Sequence, residues 1–269
     1  MSIMIFLALI VLLVVQLIIL KRNSSKFQLN EDEAKISELL EAIHSGKQQH
    51  TDKRGRTILM IACDERPIHK SSREGFFRVI QESLKTGIRV NARSLENGKT
   101  ALAYAAAKPY NTDVVEYLIK TGADTSSKDS RGRTPLFEAA TYGDLSVFSA
   151  VANHTSNLNV TDDEGNTPLM SAVAQMNLPV IHELIERNAN VKLRNNKGES
   201  AYDIAARVKP KFTKYSRNSA RPNEYGKHNH TLDEMVRELH CLENDEPFKP
   251  KKYVPPSTGT LGDTGDLDD

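Results

Sequence analysis

The sequence predicts an all-α repeat solenoid of about five repeats, held behind one N-terminal transmembrane helix. Three observations predict it. One phrase recurs as Gly98-Lys-Thr-Ala-Leu, Gly132-Arg-Thr-Pro-Leu, Gly165-Asn-Thr-Pro-Leu and Gly198-Glu-Ser-Ala-Tyr, its glycines 34, 33 and 33 residues apart. Self-similarity at a fixed period of this length is the mark of stacked supersecondary units, none of which buries its apolar face alone. A looser copy, Gly55-Arg-Thr-Ile-Leu, lies 43 residues before Gly98. Second, Ile3 to Leu20 is apolar apart from Gln16. Third, amphipathic segments at 31–45 and 231–243 stand where a solenoid needs end elements with one polar face.

The apolar run of 18 residues would span ~27 Å as a helix, against a bilayer core of ~30 Å. Only Met1 and Ser2 precede it and Lys21-Arg22 close it, with no small-x-small cleavage site after it, so it reads as an uncleaved anchor at 3–20. Lys21, Arg22 and Lys26 follow the span with nothing basic before it, which places the C-terminal side in the cytoplasm. The expected location is therefore a single-pass membrane protein with a cytoplasmic repeat domain. Residues 21–29 are a polar linker.

Asn30 with Glu33 makes a capping-box-like start for the helix at 31–45. Ile36, Leu39, Leu40 and Ile43 form one stripe, and Gly46 ends it. Its exposed charges are mostly acidic, which favours an N-terminal cap of the array over a helix lying on a membrane.

Within the repeats, Thr57, Thr100, Thr134, Thr167 and Ser200 offer hydroxyls for helix starts, and Pro135 and Pro168 suit the first turn. Asp113-Val-Val-Glu-Tyr-Leu-Ile-Lys-Thr-Gly-Ala-Asp124 is a second phrase, repeated at 178–190 with Asn188 in place of the helix-ending Gly122. Looser copies are Gly143 to Val151 and Phe76 to Gly87. Together these residues resemble the ankyrin repeat over about residues 50–206. The resemblance implies, for each repeat, a β-turn finger, an inner helix and an outer helix, with repeats starting near 52, 95, 129, 162 and 195. It departs from the family in two respects, the long first spacing and the histidine after Thr-Pro-Leu, which is replaced by Met60, Ala103, Phe137, Met170 and Asp203 and so removes an inter-repeat hydrogen bond at each joint. The long first spacing implies about ten extra residues, roughly Glu65 to Glu74, between the helices of the first repeat.

The fifth inner helix, about Ala201 to Val208, stops before Lys209-Pro210. Thr231-x-x-Glu234 then caps a helix at 231–243, read as the displaced outer helix closing a solenoid of residues 30–243. The insertion at 209–230 carries Lys209, Lys211, Lys214, Arg217, Arg221 and Lys227 with interleaved Phe212, Tyr215 and Tyr225. These are candidate contacts for an anionic lipid surface or an acidic partner, and single-stranded nucleic acid would use the same charges; a solvated loop is the simpler reading. Residues 244–269, rich in Pro, Gly and Asp, read as a disordered tail.

Composition narrows the chemistry. A net charge of +1 over 269 residues argues against bulk nucleic-acid binding. Two cysteines, Cys63 and Cys241, are too few for a disulfide framework or a four-thiolate zinc site. Gly98-Lys-Thr100 lacks the upstream glycine of a phosphate loop, Arg93 standing there. His182-Glu-Leu-Ile-Glu186 misses the last histidine of the zinc-protease signature, and His228-Asn-His230 lacks a motif's context. The sequons at Asn153 and Asn159 matter only outside the cytoplasm. No catalytic residue, cofactor or metal is assigned, and no nucleic-acid partner is expected.

The leading expectation is a membrane-tethered scaffold or adaptor, without catalysis, that binds a protein partner through its fingers and concave face. The candidate contacts are Glu96, Asn97, Lys128, Asp129, Arg131, Asp162, Asp163, Glu164, Arg194, Asn196 and Lys197. The acidic finger 162–164 between two more basic ones supplies a pattern for electrostatic selection. The rival readings are a metal-dependent regulator or enzyme using residues 209–243, and a non-cytoplasmic inhibitory or protective protein.

Overall fold

The computed structural model describes residues 31–47, 51–65, 69–208 and 222–247, with the backbone alone for 222–232. The anchor at 3–20, the linker at 21–29, Lys209, Lys211, Lys214, Arg217 and Arg221 of the insertion, and residues 248–269 lie outside the described residues. So does the side chain of Lys227. The described chain is helical and forms no strand, and it falls into two compact units divided between Ala189 and Asn190.

The first unit holds α1 (31–44) and four helix pairs. The inner helices are α2 (Ile58–Asp64), α4 (Ala101–Ala106), α6 (Pro135–Tyr142) and α8 (Pro168–Ala174). The outer helices are α3 (Lys70–Lys85), α5 (Thr112–Lys120), α7 (Leu145–Ala152) and α9 (Leu178–Glu186). Each inner helix packs on its own outer helix, α2, α4, α6 and α8 pack in series, and so do α5, α7 and α9. The inner helices are too short to be stable alone; burial of one repeated leucine holds them. Leu59, Leu102, Leu136 and Leu169 stand at the same position of the four copies, and all are buried. The small pairs Ala105-Ala106 and Ala139-Ala140 are buried beside them, where adjacent helices approach closely. Cys63 is one of these small core residues, and burial pushes its thiol pKa far up.

Hydroxyl caps start three of the four inner helices: Thr57, Thr100 and Thr167 accept from the amides of Met60 (3.3 Å), Ala103 (3.4 Å) and Met170 (3.3 Å). Thr134 is the exception; its hydroxyl is buried without a hydrogen-bond partner. Four of the five residues in place of the family's histidine, Met60, Ala103, Phe137 and Met170, are buried; Asp203 is not. Outer helices end as predicted, with Gly122 at φ 93 and Asn188 at φ 59, the asparagine adopting the left-handed conformation it tolerates better than most residues.

The extra residues of the first repeat are not all a loop. Helix α3 starts at Lys70, six residues ahead of Phe76, so part of the expected insertion lengthens the outer helix. The reason is α1. Ile36 of α1 lies over Gly75, where an added Cβ would come within 2.5 Å of its Cδ1, and Leu39 and Ile43 are buried. The extended α3 provides the surface that α1 covers, and Lys35 pairs with Glu65 at its edge.

The second unit contains α10 (201–208) and α11 (Pro222–Glu243). Ser200, which caps α10, donates to Glu243 at the far end of α11 (3.1 Å), so the two helices run antiparallel. Met235 and Leu239 are buried along α11. The helix begins at Pro222 rather than Thr231, which places Thr231 inside it. Proline suits a first helical turn, where a missing amide donor breaks no bond. Asp203 makes a reciprocal cap with Ser200, accepting from its amide (2.9 Å) while the Asp203 amide donates to the Ser200 hydroxyl (3.2 Å).

Candidate interaction surface

Five hairpin-like fingers are closed by backbone bonds: Asp52 to Arg56, Ser94 to Lys99, Asp129 to Arg133, Asp162 to Asn166 and, in the second unit, Asn195 to Glu199. One side chain builds four of these turns. Asp52, Asp129, Asp162 and Asn195 each accept from the amides two and four residues on, at 2.8–3.0 Å. Burial would raise the Asp52 pKa, but bonds from the Arg56 backbone and side chain and from the Arg54 backbone outweigh it and hold the carboxyl below its ordinary value. The second finger is closed differently: the Asn97 carbonyl accepts from Ser94 Oγ (2.6 Å), the Lys99 amide (3.1 Å) and the Tyr104 hydroxyl (3.2 Å).

Within the first unit the fingers are joined in a row. The amides of Glu96, Ser130 and Asp163 donate to the carbonyls of Arg54 (3.1 Å), Asn97 (2.9 Å) and Arg131 (3.0 Å). Each finger therefore sets the height of the next. The approach is close enough to require glycine: at Gly132 (φ 73) a Cβ would come within 2.3 Å of Asp163 Oδ1.

This geometry sorts the sequence-predicted contact residues. Asn97, Asp129 and Asp162 spend their side chains on the turns. Arg194 pins the fifth finger to α11, pairing with Asp203 (2.9 Å) and Glu243 (2.6 Å). Glu96, Lys128, Arg131, Asp163, Glu164, Asn196 and Lys197 are exposed. Glu96 is engaged by Arg54 at 3.7 Å, and Lys128 Nζ reaches the Thr161 carbonyl at 3.4 Å. Replacing Asp129 by alanine should lower stability by roughly 2 kcal/mol, since two backbone amides lose a charged acceptor. Asp129→Asn should be near neutral, because Asn195 closes its finger in the same way. Urea unfolding midpoints of the two variants check this.

The sequence reading missed the ion pairs on the inner-helix side. Arg56 contacts Asp52 and Asp64, at 2.8 and 2.7 Å, and Lys108 of the next repeat reaches Asp64 at 2.7 Å. One joint further on, the almost fully buried Glu138 (1% exposed) meets Lys99 at 2.9 Å and Arg133 at 3.7 Å. Aligning the copies gives a signal in two of them: the residue before the helix-starting Thr and the one eight later, Arg56 and Asp64 or Arg133 and Thr141, come together.

Past the second of these clusters, Arg131, Arg133, Tyr142, Asp163 and Glu164 wall a cleft of about 600 Å³ floored by Ser171 and Ala174. Among the described residues no three His, Cys, Asp or Glu side chains gather to hold a metal ion. Nor is any described helix long and apolar enough to cross a membrane.

Fingers, paired helices and an open inner-helix face define a repeat protein built for surface recognition. The family model "Ankyrin repeats (3 copies)" matches residues 30–129, 68–162 and 106–195, and the chain belongs to the ankyrin-repeat family. It is similar to the Caenorhabditis elegans "Ankyrin repeat and KH domain-containing protein mask-1", 30% identical over 115 residues, which cover 43% of this chain and 4% of that protein. It is also similar to the mouse "Protein phosphatase 1 regulatory subunit 12A", 39% identical over 74 residues, 28% of this chain and 7% of that one. The chain thus matches less than a tenth of the length of either relative. Ankyrin repeats are protein–protein interaction scaffolds.

Proposed function

We propose that this chain is a membrane-tethered, non-catalytic adaptor that holds a protein partner against its fingers and inner-helix face. The observation that carries the reading is the finger row: tips locked at fixed spacing by backbone bonds, with charged side chains left at the surface. Such a surface is preorganised, so binding orders little that was mobile before. The apolar run at 3–20, followed by Lys21-Arg22, supports tethering with the repeats on the cytoplasmic side. Tethering raises the effective concentration for a membrane partner. The mouse relative's name describes a regulatory subunit of an enzyme, which accords with repeats that hold another protein and carry no chemistry of their own.

Co-purification from native membranes tests this. The full chain should bring down a stoichiometric protein partner, and a chain lacking residues 1–22 should lose it or move to the soluble fraction. Recovery without a partner, or an unchanged membrane fraction after the deletion, would sink the corresponding half of the proposal. A C-terminal reporter active outside the cytoplasm would reverse the orientation.

A further inference from the structure

The inner-helix face changes character at the fourth repeat. Arg56, Lys99 and Arg133 precede the threonine at the start of the inner helix in the first three repeats, and Asn166 takes that place in the fourth. Tyr104 and Glu138, both buried, occupy a position where α8 has Ser171, and Thr141 gives way to Ala174. Long side chains that lock one another along the first three repeats are replaced by short neutral ones. The cleft of about 600 Å³ opens at this point. It is lined by residues of the third and fourth repeats.

The charges at its rim are of both signs. Arg131 and Glu164 are exposed on adjacent fingers and form no ion pair among the described residues, whereas at the first joint Arg54 and Glu96 pair at 3.7 Å. Asp163 stands over Gly132 between them. Tyr142, 48% exposed, offers an uncovered ring at the cleft wall. A ligand carrying one sign alone would meet repulsion from half of this rim. An extended segment with a basic and an acidic residue side by side would satisfy both halves and lay an aliphatic stem on the ring.

We propose that this cleft docks a mixed-charge segment of the partner protein, its basic side chain against Glu164 and its acidic one against Arg131. The inference rests on the adaptor reading above and names the chemistry that reading would recognise.

A random dodecapeptide phage library panned on the full chain supplies the probe. The best recovered peptide is then synthesised with a fluorescein label and titrated by anisotropy. Recovered peptides should share adjacent basic and acidic residues. Arg131→Glu and Glu164→Arg should each weaken the labelled peptide at least tenfold, and the double variant should bind its charge-swapped counterpart instead. Ser171→Arg, which fills the floor, should abolish binding while circular dichroism shows the helices intact. Peptides of a single sign, no recovered peptide, or binding indifferent to Ser171→Arg would overturn the inference. Those results leave the adaptor reading standing if native co-purification still yields a partner, so the two fail separately.

Discussion

Lys99→Met is expected to destabilise the protein strongly although the lysine side chain is 21% exposed. Glu138 is 1% exposed, and Lys99 is its nearest cation at 2.9 Å. Neither carboxylate oxygen receives a well-aligned hydrogen bond, so the ion pair alone offsets the desolvation of that charge. Removing one partner of a buried pair typically costs about 3–5 kcal/mol, because the other charge remains buried. Arg133, at 3.7 Å, stays behind and should keep the loss near the lower end of that range. The opposite change has the opposite sign. Glu138→Leu removes the buried charge and should be neutral or stabilising by ~1–4 kcal/mol. In that background Lys99→Met should become nearly silent, since no buried carboxylate is left to abandon. Denaturant midpoints for the two single variants and the double variant form a cycle. A Lys99→Met effect that persists unchanged in the Glu138→Leu background would show that the lysine acts by packing rather than charge.

The second large effect is expected at Phe148. Its side chain is completely buried on α7, a helix that packs on α5, α6 and α9. Phe148→Ala should cost about 3–5 kcal/mol, the transfer of the ring plus the cavity left behind. In a stack the loss does not remain local, since stability is a sum of repeat and nearest-neighbour terms. Weakening the third repeat uncouples the repeats on either side, so unfolding followed by circular dichroism should lose its single sharp transition. Hydrogen exchange should rise in α5 and α9 as well as in α7. A midpoint shift with one transition and exchange confined to α7 would argue that the neighbours hold without it.

Much of the scaffold is legible because it is local. Threonine before a helix and glycine in a tight turn act through atoms one to four residues away. Asn188 stands at a helix-ending position and takes a positive φ for the same reason that Gly122 does. The finger carboxylates show the limit of such reading. Asp129 and Asp162 look like ligand-facing charges in the sequence, yet each accepts two amides of its own turn. Spacing within the phrase contained that information, since an acid three residues before the glycine recurs at Asp52, Asp129 and Asp162. The start of α3 at Lys70 was hidden because it depends on α1, whose Ile36 meets Gly75 across 39 residues of chain.

What the sequence determined by itself is the repeat: its period, its turn chemistry, the leucine and alanine positions that face inward, and hence the family. These follow from hydrogen bonds and apolar periodicity within one copy. Tertiary structure decided which charges are spent and which remain available. Glu138 finds Lys99, Lys108 finds Asp64, and the cleft opens over Ser171, because stacking brings residues of successive copies into contact. Ion pairing and empty volume depend on distances across a joint, and no pattern within a single repeat measures those.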